Sequence, residues 1–210
     1  MQFRLYRGIE LLLLFVIVPL SLLLDYHFLF KVVSAFIGFG YILYILRKNG
    51  LLKLKLPEKL DWKLFWKETI VKLAIIMLIT GLYVFWVAPD KLFAVMLKKP
   101  GLWFVILFVY TFLSVWPQEI IYRTFFYNRY KELITNKWLM FFINAILFSL
   151  AHLFFRSVLV QLLTFIGGLL FAYTYHKTKS TMLVSIEHAI YGNWLFTVGM
   201  GEMLAFPGVE

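Results

Sequence analysis

The chain has 210 residues and no cysteine, which excludes disulfides and thiolate metal sites. Aspartate is almost absent. Its three copies, Asp25, Asp61 and Asp90, lie near the ends of apolar runs, so a protease built on two intramembrane aspartates is excluded. Histidine is also scarce. No two of His27, His152, His176 and His188 stand four residues apart, and the His-Glu-x-x-His zinc signature is missing. Ser149 and Ser185 each precede a histidine by three residues, but neither sits in a Gly-x-Ser-x-Gly context. There is no internal repeat and no low-complexity segment.

Hydrophobic residues make up 62% of the chain, against about 45–50% in ordinary soluble domains. A spanning helix needs about 20 mostly apolar residues. Seven stretches meet or approach that length: 8–24, 27–46, 69–88, 101–128, 138–155, 158–175 and 181–200. The expected fold is therefore all-α, a polytopic transmembrane helical bundle forming a single membrane domain over residues 1–210. The net charge of +10 does not point to nucleic acid. The basic residues sit in short segments between apolar runs, where they set topology and meet anionic headgroups.

Arg4 and Arg7 before an apolar run resemble a secretory signal. Leu22-Leu23-Leu24-Asp25 is a poor cleavage site, so this stretch is expected to stay as a first spanning helix. With the N-terminus cytoplasmic, that side receives twelve basic residues: Arg4, Arg7, Arg47, Lys48, Lys53, Lys55, Lys59, Arg129, Lys131, Lys137, Lys177 and Lys179. The other side receives five: Lys31, Lys91, Lys98, Lys99 and Arg156. This bias predicts a cytoplasmic N-terminus and an external C-terminus. The expected location is the plasma membrane of a prokaryote. Residues 47–59 read as a basic connector. Residues 61–72, mixing Trp62, Phe65 and Trp66 with Lys63 and Lys67, read either as an interface-lying segment or as the solvated start of the third helix. Glu10 and Lys31, near helix ends, are expected to snorkel.

An ionisable residue in a spanning helix costs a few kcal/mol and needs a reason. Three clusters raise the question. Glu119 and Arg123 stand i, i+4 on one face, acid first, beside Gln118. Pro117 removes a backbone hydrogen bond and predicts a kink there. Asn144, Phe148 and His152 form a stripe at steps of four, expected to face the interior. Glu187, His188, Tyr191, Gly192 and Asn193 lie on the last helix, where Gly192 permits close approach of a neighbour. Gly167-Gly168 could act likewise. Carboxylates, imidazoles and amides together suit activation of water and support of an oxyanion. The same groups suit a proton relay in a small transporter.

Over about residues 100–200 these motifs resemble the CAAX-protease and bacteriocin-processing family of intramembrane endopeptidases. Its pattern is Glu-Glu-x-x-x-Arg, then Phe-x-x-x-His, then His-x-x-x-Asn. Glu119 and Arg123 match the second glutamate and the arginine, Phe148 and His152 match the second motif, and His188 matches the third-motif histidine. The resemblance implies hydrolysis of a peptide bond in a transmembrane or membrane-adjacent substrate, with lipid as the surroundings. It implies water activation by the first glutamate and His152, and oxyanion support by the third motif. The cofactor is open between a divalent metal and none; His152, His188 and Glu119 would be the ligands.

The chain departs from the pattern twice. Gln118 replaces the first glutamate, and an amide cannot serve as a base. Gly192 stands four residues after His188, with Asn193 one place late. Glu187 adds a carboxylate that either replaces the missing base or pairs with Arg123. The candidate catalytic residues are therefore Gln118, Glu119, Arg123, His152, Glu187, His188 and Asn193. Two alternatives stand beside the endopeptidase: a catalytically impaired relative that binds a membrane segment or partner protein, and the small transporter.

Overall fold

The computed structural model describes residues 2–52, 56 and 60–201. Lys53, Lys55, Pro57, Glu58 and Lys59 of the basic connector lie outside the described residues. No strand occurs among those described. Helix α1 runs over Gln2–Leu12 and continues through a π turn, Leu13–Ile17, to Val18–Ser21. The others are α2 (Phe28–Lys48), α3 (Trp62–Val87), the short α4 (Ala94–Lys98), α5 (Pro100–Tyr130), α6 (Lys137–Leu150), α7 (Val158–Thr178) and α8 (Thr181–Val198). Helices occupy all seven expected positions, but among the described residues five of the seven, not all, have the length and apolarity of a membrane span. The helices over residues 28–48, 62–87, 100–130, 137–155 and 158–178 are long and apolar enough to cross a membrane. Trp86, Phe36, Leu113 and Val158 are largely exposed on these elements. Lipid is the solvent that accommodates such faces, and the chain is an integral membrane protein.

Local chemistry explains the helix limits. The Asp61 carboxylate accepts from Leu64 N–H at 2.9 Å and caps α3, which then runs unbroken for 26 residues. Residues 61–72 are accordingly the start of the third helix and not a separate interfacial segment. Pro117 cannot donate to the carbonyl one turn earlier. The backbone of α5 widens into π turns at Tyr110–Val115 and Ile120–Phe125, on either side of the motif Trp116–Glu119. Helix α6 stops at Leu150, five residues before the expected limit. Leu153–Phe155 form a 3₁₀ turn and Arg156 adopts a left-handed conformation (φ 52°) that reverses the chain. The Ser157 hydroxyl then caps α7.

The chain divides into two compact units. The first comprises residues 1–55 and 117–181, the second 56–116 and 182–210. Each takes helices from both halves of the sequence. In the first unit, Phe15 of α1 is buried against Tyr122, Phe126 and Tyr130 of α5, with ring centroids 5.4–5.9 Å apart. Glu10 does not snorkel. It is buried and receives Arg129 Nε at 2.7 Å and Nη2 at 2.9 Å, together with the Tyr41 hydroxyl. This bidentate pair fastens the N-terminal helix to the end of α5. Lys31 donates to the Leu22 carbonyl at 2.8 Å and closes the turn between α1 and α2. In the second unit, Val95, Ile106 and Phe196 form a core flanked by Leu102, Trp103, Leu107 and Tyr110.

Candidate active site

In the first unit, the π turn Ile120–Phe125 presents Arg123 inward, and neither Arg123 nor Glu119 is exposed at all. Arg123 Nε lies 3.3 Å from Glu119 Oε2. Its Nη1 donates to Asn144 Oδ1 at 2.6 Å, and its Nη2 reaches the Gly168 carbonyl at 3.5 Å. Asn144 in turn donates to the Tyr122 carbonyl at 2.8 Å. The guanidinium sits over the Phe148 ring, 5.0 Å from its centroid. One cation thereby ties together α5, α6 and α7, and a buried charge is tolerated because it is paired and hydrogen-bonded. Asn144 and Phe148 face the interior as expected. Gln118, beside Glu119, is half-buried.

His152 lies beyond the end of α6 and is half-buried. It stays in register with Phe148 because its Nδ1 is 2.7 Å from the Phe148 carbonyl. A carbonyl only accepts, so Nδ1 carries a proton, and in the neutral ring Nε2 is the acceptor. Ser149 is no nucleophile for this histidine: its hydroxyl lies 2.9 Å from both oxygens of Gln161, holding α6 to α7. The two helices meet closely at Gly168, where a Cβ would stand 2.9 Å from Ala145 Cα. Gly168→Ala is expected to cost about 1–3 kcal/mol of stability, because backbone and not a flexible side chain blocks the methyl group. Thermal unfolding in detergent checks this.

In the second unit, Glu187 is completely buried. Its Oε1 accepts from Lys72 Nζ and from the Tyr191 hydroxyl, the latter at 2.8 Å. The Tyr191 hydroxyl also lies 3.2 Å from the Thr69 carbonyl. His188 is buried, with its ring edge-on to Tyr110 at 6.0 Å. Gly192 faces the same tyrosine, and a Cβ built there would overlap its hydroxyl and ring. This is the close approach that the glycine foretold. Asn193 Nδ2 donates to Thr111 Oγ1 at 3.1 Å. Arg123 thus has Glu119 as its carboxylate partner, while Glu187 is matched to Lys72. Lys72 went unnoticed in the motifs, although a lysine ten residues into an apolar helix is itself a signal. Among the described residues, no three His, Asp or Glu side chains form a group able to hold a metal ion.

Residues 100–194 match the family model described as "Type II CAAX prenyl endopeptidase Rce1-like". No curated protein and no solved structure matches the chain. The matched segment contains Glu119, Arg123, Phe148, His152 and His188. Over residues 100–194, a little under half of its length, the chain is thus similar to the CAAX-protease and bacteriocin-processing family of intramembrane proteases.

Proposed function

We propose that this protein is an active intramembrane endopeptidase in which His152 takes the proton from the attacking water. The observation that supports this reading is the His152 Nδ1–H bond to the Phe148 carbonyl, which leaves Nε2 as the proton acceptor. Water oxygen attacks the scissile carbonyl carbon and its proton passes to Nε2. The carbonyl oxygen becomes an oxyanion. The imidazolium then returns the proton to the amide nitrogen, and the C–N bond breaks. Glu119 supplies the carboxylate that remains in the first motif and holds Arg123 in place. The Gln118 amide is a donor for the oxyanion, and the family resemblance assigns the same role to the third-motif residues His188 and Asn193. Glu187 keeps its charge matched to Lys72 and takes no proton. The substrate is a peptide segment within or beside the membrane, and the excess of basic residues on one side supports a cytoplasmic N-terminus.

Gln118 favours a second reading, a catalytically impaired relative that still binds a membrane segment, because an amide cannot replace a carboxylate as base. The test is cleavage of membrane-anchored peptides by the purified protein in liposomes. His152→Ala is expected to lower kcat on the order of 100-fold or more, the scale of general-base catalysis. Cleavage that survives the His152→Ala/His188→Ala double change overturns the mechanism. An inert wild type that gains cleavage as Gln118→Glu establishes the impaired relative.

A further inference from the structure

Helix α8 carries His188, and its side chains divide into stripes with different neighbours. At about 100° per residue, Glu187, Tyr191 and Trp194 fall within about 60° of one another. All three bond to α3. Glu187 accepts from Lys72, Tyr191 reaches the Thr69 carbonyl, and Trp194 Nε1 donates to Thr80 Oγ1 at 2.8 Å. Thr69, Lys72 and Thr80 in turn lie on one stripe of a helix that is mostly apolar from Thr69 onward, its first turns carrying Lys63, Lys67 and Glu68. Thr69 and Thr80 are buried. His188 and Gly192 form the neighbouring stripe of α8 and meet Tyr110 of α5.

A buried ion pair is a poor source of stability. Desolvation offsets its attraction, and well-packed apolar residues often serve as well. What a hydrogen-bonded pair supplies is direction. Apolar packing against α3 would tolerate a partial rotation of α8. A carboxylate oxygen shared by Lys72 and Tyr191 does not, because rotation would strand a charge with no water to receive it. The Glu187 side chain is fully buried and that of Lys72 only 18% exposed.

We propose that the Lys72–Glu187 pair sets the rotation of α8 and thereby the direction in which His188 faces. Lys72 lies outside the matched segment of residues 100–194. Its part in the reaction rests on the protease reading of His188. Lys72 and Glu187 are positioning residues, and neither touches the substrate.

Two measurements test this. In peptide cleavage, Lys72→Met and Glu187→Gln should each lower kcat on the order of 100-fold with little change in KM, as expected for a misaimed group. Lys72→Arg should stay near wild type, and the exchange Lys72→Glu/Glu187→Lys should recover most of the loss. The second measurement needs no catalysis. The chain has four histidines, so protein labelled at histidine gives few side-chain NMR signals, and His188→Gln identifies the one from His188. That signal should move in Lys72→Met and Glu187→Gln and return in the exchanged pair. If the wild type cleaves nothing, the protease reading fails, but the histidine signal still decides the positioning role. A signal unmoved in both single variants overturns the proposal. So does a Glu187→Gln variant that loses cleavage while Lys72→Met retains it, since Glu187 would then act by itself.

Discussion

Replacing Arg123 by Met is expected to destabilise the protein by about 3–5 kcal/mol, the usual cost of breaking a buried pair from one side. The guanidinium is fully buried and serves Glu119, Asn144 and the Gly168 carbonyl at once. Its removal deprives a buried carboxylate of its matching cation and strands an amide oxygen. It also frees α6 and α7 from α5. The double change Glu119→Gln/Arg123→Met should recover part of the loss, because no uncompensated charge remains. Chemical denaturation in detergent micelles checks both. An Arg123→Met protein within about 1 kcal/mol of wild type would mean that the pair is an exposed, weak one, contrary to the burial seen.

The second large effect is expected at Gly192. Any side chain there must enter the space of the Tyr110 hydroxyl and ring. Gly192→Leu should force α8 from α5 and cost about 3 kcal/mol or more, beyond the usual 1–3 kcal/mol for overpacking by a few methylenes. Because the His188 ring rests on the same tyrosine, cleavage should fall as well. Gly192→Ala/Tyr110→Ala should be more stable than the sum of the single changes, by a coupling of about 0.5–3 kcal/mol. Additivity of the two would show that the residues do not touch. The family pattern places Asn four residues after the histidine. Here a glycine occupies that position and admits Tyr110, while Asn193 turns to Thr111.

Much of the fold was legible in advance. Run length alone located the five helices able to span, because a spanning helix must satisfy its backbone internally and present apolar side chains to lipid. The i, i+4 spacing announced the Glu119–Arg123 pair, and the Phe148–His152 spacing survived even though α6 ends before His152. Helix limits were less legible. Hydropathy does not distinguish Leu153–Phe155 in an α-helix from the same residues in a 3₁₀ turn, and it does not register the π turns around Pro117.

Residues 1–100 illustrate what pattern could not reach. Glu10 lies near a helix end, and Lys72 follows Glu68 by one turn in a helix start. Each completes an ion pair with a residue more than a hundred positions away, Glu10 with Arg129 and Lys72 with Glu187.

By itself the sequence determined that this protein lives in lipid, that its polar groups cluster in the second half, and which motif residues carry the family likeness. Those properties depend on composition and on neighbours within one or two helical turns. Only the tertiary structure decided the partners: Asn144 for Arg123, Lys72 for Glu187, Arg129 for Glu10, Tyr110 for Gly192. Partner choice depends on which helices are adjacent and how each is rotated about its axis, and in a nearly uniform apolar sequence no local spacing encodes that rotation.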